Sequence, residues 1–234
     1  MKNLNLILAW TVHILTASGL IVSLYSIISI INGDYSLLLN LTIIGLFIDG
    51  IDGTLARKFK VKDLIPTIDG ALLDNIVDYI NYTFIPTIFL YYGNFIRNEY
   101  KIMICIGILF ASAYQFSRTD SKTSDDYFRG FPSLWNFLII FNIIFTVKEI
   151  TNLIIILACI ALSFAPIKFI YPTKTKEFKY LTIFLTIITS FTIILTIFAR
   201  LPEVYLDVSK ILIFFYLTYI ILVSIYLNYT TGKK

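Results

Sequence analysis

Eight apolar runs dominate the sequence, at roughly 5–31, 36–57, 66–92, 101–118, 133–147, 150–171, 179–200 and 209–229. About 20 apolar residues carry a helix across the hydrocarbon of a bilayer. Lipid satisfies no backbone polar group, so a spanning chain is left with helices or a closed barrel. These runs predict an all-α, polytopic membrane bundle of about eight transmembrane helices. The fifth run is short and the turn at Lys148 and Glu149 is tight, so a seven-helix bundle that merges or drops it is the alternative. Composition agrees, with 58% hydrophobic and only 15% charged residues and a mean hydropathy of +0.82. A soluble domain carries about 25% charged residues, and disorder needs low hydrophobicity and high charge. The 234 residues suit a single integral-membrane domain over 1–234. The first run is too long for a signal peptide and carries Trp10 and His13, so it reads as a retained helix.

The net charge of +4 does not imply nucleic acid, because the basic residues cluster between apolar runs, where they face anionic membrane lipids. With a cytoplasmic N-terminus, one side holds Lys2, Arg57, Lys58, Lys60, Lys62, Arg118, Lys122, Arg129, Lys168, Lys174, Lys176, Lys179, Lys233 and Lys234, which is 14 of the 19 Lys and Arg. The other side keeps Arg97, Lys101, Lys148, Arg200 and Lys210. That split predicts both termini in the cytoplasm. Cys105 and Cys159 lie inside apolar runs and read as packing thiols rather than a disulfide. With His13 as the one histidine, any metal must be held by oxygen.

Four carboxylates stand out in the second and third runs: Asp49, Asp52, Asp74 and Asp78. Each costs about 2.5–3.5 kcal/mol at membrane depth and needs a compensating partner. Asp49 and Asp52 are three residues apart and Asp74 and Asp78 four apart, so each pair shares a helical face. Asp52 lies roughly 7.5 Å of helix before Arg57, and Asp74 roughly 12 Å after Pro66. The hairpin therefore brings all four to similar depth near the cytoplasmic face. Four converging anions repel one another unless divalent cations sit among them, and all-oxygen ligation selects Mg²⁺ or Mn²⁺. Gly53, Ala56 and Gly70 lack bulk beside the acidic faces, which allows close helix approach or access of a flat ligand. A metal transporter is the reading from another class, but its site belongs near the midplane, and Arg57 beside a cation path would repel the cargo.

The pattern Asp49-x2-Asp52-Gly53-x2-Ala56-Arg57, then Gly70-x3-Asp74-x3-Asp78, resembles the signature of the CDP-alcohol phosphotransferases. Positions 58–69 form a longer spacer than most of that family has. This spacer and Gly50 resemble one branch, the bacterial phosphatidylcholine synthases. So do the segments Trp10–Gly19, Gly130–Asn136 and Pro166–Pro172. The resemblance implies transfer of a phosphatidyl group from CDP-diacylglycerol to an alcohol, with release of CMP. It implies Asp49, Asp52 and Asp74 as metal ligands, and Asp78 as general base and further ligand of a two-ion Mn²⁺ or Mg²⁺ site. Gly53, Ala56, Arg57 and Gly70 would line the CDP pocket. The branch implies choline as acceptor, a bacterial inner-membrane location and a homodimer, although no sequence feature marks an interface. Glycerol 3-phosphate, serine and inositol are the alternative acceptors. A quaternary ammonium is recognised by aromatic faces. Trp10, Tyr82 and Trp135 are the first choices, with Tyr127, Phe128 and Phe131 crowded beside Asp125 and Asp126.

Overall fold

The computed structural model describes residues 2–198 and 203–231. Arg200, Lys233 and Lys234 of the charge pattern lie outside them. Helix α1 spans Lys2–Ile31 and α2 spans Tyr35–Lys58. Between them Gly33 takes φ +70, a conformation that costs glycine nothing. The amides of Asn32 and Asp34 then close back onto Ile28 and Ser29. The Asp34 side chain accepts from Leu37 N at 2.9 Å and caps α2. A four-residue helix, α3 (Val61–Leu64), follows the left-handed Lys60. Pro66 ends that path, and Asp69 restarts it by accepting from the amides of Ala71 and Leu72 to cap α4 (Gly70–Tyr79).

The third apolar run is one continuous helical path with a defect in it. Helix α4 passes into a π turn, Ile80–Phe84, and then into α5, Ile85–Tyr92. Pro86 stands at the start of α5. It has no N–H for the Tyr82 carbonyl and its ring crowds that carbonyl. A widened turn ahead of the proline accommodates both. The remaining elements are α6 (Asn98–Ser117), β1 (Tyr127–Arg129), α7 (Asn136–Phe145), α8 (Glu149–Phe164), β2 (Lys168–Ile170), α9 (Lys179–Phe198) and α10 (Glu203–Thr231).

The multipass helical fold expected from the apolar runs is present. Among the described residues, α1, α2, α6, α9 and α10 are long and apolar enough to cross a membrane. Helices α7 and α8 are apolar but have only 10 and 16 residues. They are separate helices, parted by a turn in which Thr146 takes φ 50, so the fifth and sixth runs do not merge. Large side chains such as Phe110 and Ile211 are 70% and 67% exposed, as expected of surfaces meant for lipid.

The chain forms two compact units. The first comprises 1–105 and 135–143. In it α1 packs along α2, α4 and α5. Near the start of α1, Ala9 and Val12 bury against Val61 and Ile65, with Leu55, Ala56 and Phe59 around them. Gly19 lets α1 meet α4 closely, since a Cβ there would stand 2.5 Å from Val77 Cγ1.

The second unit comprises 106–134 and 144–234. It contains a feature the sequence reading missed. The sixth run was expected as helix to 171, but its helix ends at Phe164 and Lys168–Ile170 pairs antiparallel with Tyr127–Arg129. The outer edge of β2 is not left open. Asn228 accepts from Lys168 N at 2.9 Å and donates to its carbonyl at 2.6 Å, while Ser224 Oγ accepts from Ile170 N at 3.1 Å. Buried backbone groups need such partners. Hydroxyl pairs join α9 and α10: Thr182 with Tyr219, Thr186 with Tyr216 and Thr196 with Ser209. Between membrane helices, such polar pairs and close packing replace the missing hydrophobic drive.

Candidate metal and nucleotide site

The acidic residues meet inside the first unit, in a crevice walled by α1, α2, α4 and the π turn. Asp49 and Asp52 come from α2, Asp74 and Asp78 from α4. Carboxylate oxygens of Asp49, Asp74 and Asp78 lie within 4.8 Å of one another, and all three residues are half-buried. Asp52 lines the same crevice but is held differently. It is 5% exposed, and its Oδ2 accepts a 2.8 Å hydrogen bond from Thr16 Oγ1 of α1.

The donor set is all oxygen. Such a set fits Mg²⁺ or Mn²⁺, whose ligands stand about 2.0–2.2 Å from the ion. Three carboxylates gathered this closely in a poorly solvated crevice would repel one another strongly without a cation. The residues therefore fit a divalent metal site, with Asp49, Asp74 and Asp78 at its centre and Asp52 beside them.

The π turn contributes two residues to this crevice. Tyr82 is 5% exposed, and its hydroxyl donates to Asp49 Oδ2 at 2.5 Å. Asn81 ties the turn to α1: Ser23 Oγ donates to its Oδ1 at 3.0 Å, and its Nδ2 donates to the Gly19 carbonyl at 3.3 Å. The Tyr82 hydroxyl bond was not foreseen, since the sequence reading assigned only the ring a role. Asn81 was missed outright. Its signal was available, as an amide inside an apolar run four residues before a proline-led helix start.

The residues expected to line a CDP pocket lie at the adjoining ends of α2 and α4. Gly53 leaves room for Arg57, whose Nη1 would be 3.5 Å from a Cβ at that position. The exposed Arg57 folds back along its own helix, donating from Nη2 to Thr54 Oγ1 at 3.2 Å. Ala56 packs against the Ala9–Val12–Val61–Ile65 cluster. Gly70 abuts His13, with a Cβ there falling 3.3 Å from its Cε1. His13 is buried, and its Nε2 has no hydrogen-bond partner.

Of the three aromatic residues chosen for an ammonium group, the structure brings only Tyr82 to the crevice. Trp10 is 44% exposed on α1, edge-on to His13 at 6.2 Å. Trp135 is fully buried. In the second unit the other aromatics are engaged by their own chain. Tyr127 donates to Glu177 at 2.7 Å and lies beneath the Lys168 ammonium at 5.4 Å. Phe128 stacks on Tyr171 at 4.4 Å, and Lys168 pairs with Asp125 at 2.5 Å.

A family model described as CDP-alcohol phosphatidyltransferase matches residues 10–228. The chain belongs to that family. It is thus a phosphatidyl-transferring enzyme embedded in a membrane, and its acidic crevice is a cluster that could hold a metal ion. Among curated relatives, the chain is 65% identical to a phosphatidylcholine synthase of Borreliella burgdorferi over 100% of both chains. It is 42% identical to a phosphatidylcholine synthase of Legionella pneumophila over 71% of this chain and 66% of the relative. A phosphatidylcholine synthase of Pseudomonas aeruginosa is 34% identical over 80% of this chain and 79% of its own.

Proposed function

We propose that this protein makes phosphatidylcholine from CDP-diacylglycerol and choline, as one functional domain over 1–234. The observation that carries the chemistry is the convergence of Asp49, Asp74 and Asp78 within 4.8 Å. The full-length similarity to a phosphatidylcholine synthase supports the acceptor. Asp49, Asp52, Asp74 and Asp78 hold the metal site, which takes two Mn²⁺ or Mg²⁺ ions. Such a pair supplies charge neutralisation for the pyrophosphate and for the departing CMP.

The side chains do the rest by position. Arg57 can offer phosphate a planar two-point fork. Gly53, Ala56 and Gly70 keep bulk away from the nucleotide. Asp78 takes the proton of the choline hydroxyl as its oxygen bonds to the phosphatidyl phosphorus. The bond from that phosphorus to the CMP oxygen breaks, and CMP leaves with the electron pair. Tyr82 presents an aromatic ring to the quaternary ammonium while its hydroxyl steers Asp49. The charge asymmetry between loops supports an inner-membrane enzyme with both termini and the site toward the cytoplasm; the homodimer rests on the family resemblance alone.

The test is an acceptor panel. Purified protein is given CDP-diacylglycerol, Mn²⁺ and labelled choline, serine, inositol or glycerol 3-phosphate. The expected result is lipid labelling from choline alone. Labelling from another acceptor in preference to choline would overturn the choline assignment and leave the metal chemistry standing.

A further inference from the structure

The geometry points to Thr16 as a positioning residue that sets the affinity of the acidic crevice for its metal, by holding one oxygen of Asp52. This inference rests on the metal reading above and adds to it a residue of α1 that the acidic signature does not contain.

A threonine inside a helix normally donates to the carbonyl four residues back. Thr11, Thr42 and Thr87 do so at 2.9, 2.8 and 2.8 Å. Thr16 does not follow them. Its distance to the Val12 carbonyl is 3.3 Å, while Asp52 Oδ2 stands at 2.8 Å. The hydroxyl has one proton, and the shorter contact to a charged acceptor takes it. Both side chains are buried, Thr16 at 7% and Asp52 at 5% exposure, so water is a poor substitute for this bond.

The effect on Asp52 is specific. With Oδ2 engaged by a neutral donor, the carboxylate is fixed in rotation and has one oxygen left for the cluster. Asp52 is the acidic residue of the crevice that does not join the 4.8 Å group of Asp49, Asp74 and Asp78. An outer partner that orients a ligating carboxylate typically changes metal affinity or activity by about 10–100-fold when removed. The wall of α1 is built to keep Thr16 in place. One turn further on, Gly19 leaves no room for a Cβ beside Val77 of α4, and a turn beyond that Ser23 bonds Asn81.

The test reads metal binding directly. Full-length protein in detergent, without substrate, is titrated with Mn²⁺ while the electron paramagnetic resonance signal of free Mn²⁺ is followed. Thr16→Val, which keeps the shape and removes the hydroxyl, should weaken binding by about 10–100-fold. Thr16→Ser should bind like the parent, and Thr11→Val should be silent. If Thr16→Val does not purify as a folded protein, Thr16→Ala replaces it, with the same loss expected. A parental dissociation constant in the variant lacking the hydroxyl overturns the role of Thr16. So does a Thr16→Ser as weak as Thr16→Val, which would mean that any change of packing at this position weakens binding and that the hydroxyl has no specific role. A parent protein that binds no Mn²⁺ overturns the metal reading itself, a separate and recognisable result.

Discussion

Tyr82 shows how much a single side chain can add to a motif that does not include it. Its position four residues after Asp78 was enough to place it near the acidic face. Spacing could not show that its hydroxyl would reach across to Asp49 of another helix. Sequence separation along one helix fixes which residues share a face, but contacts between helices depend on their approach and on the π turn at Ile80–Phe84. A hydrogen bond to a charged group is worth about 1.5–3 kcal/mol. If that bond orients Asp49, Tyr82→Phe keeps the ring for the ammonium and loses the steering. Its kcat should fall about tenfold or more, with the KM for choline unchanged. Saturation curves in choline separate the two roles. An unchanged kcat with a raised choline KM would place the function of Tyr82 in the acceptor contact alone.

At the scale of elements, the helices were legible because most of the apolar runs are long, even though the fifth is short and the third is interrupted ahead of Pro86. Every one of the eight expected regions holds helix. The β-ribbon was not legible. Tyr-Phe-Arg and Lys-Phe-Ile are three-residue strands, too short for any period-2 pattern, and their pairing depends on Asn228 and Ser224 far along the chain. The approach of α1 to α4 was only half legible. Small residues were expected to allow close contact beside the aspartates, yet Gly19, not one of the signature glycines, makes the tightest fit to Val77. A methyl added there would stand 2.5 Å from Val77 Cγ1, and a β-branched residue in a helix has almost no other rotamer to adopt. Overpacking of this kind costs about 1–3 kcal/mol. Gly19→Ala should lower Tm in detergent and reduce turnover, because Val77 sits between Asp74 and Asp78. Val77→Ala in the same chain should restore both. A Gly19→Ala protein with the parental Tm would show that α1 and α4 do not meet this closely.

For the whole molecule, the reaction class was readable because burying carboxylates in apolar helices is too costly to be incidental. Their spacing alone resembles the family signature. Which oxygens converge was not readable: all four acids line one crevice, but those within 4.8 Å of one another are Asp49, Asp74 and Asp78, while Asp52 accepts from Thr16. The central claim is that this acidic crevice holds a divalent metal and uses it to move a phosphatidyl group to choline. The most direct measurement is the phosphatidylcholine and CMP formed by purified protein from CDP-diacylglycerol and choline, after exhaustive EDTA treatment and again after Mn²⁺ is returned. The account predicts no product without metal, recovery with Mn²⁺, and one CMP for each phosphatidylcholine. Full turnover in a rigorously metal-free preparation would contradict it.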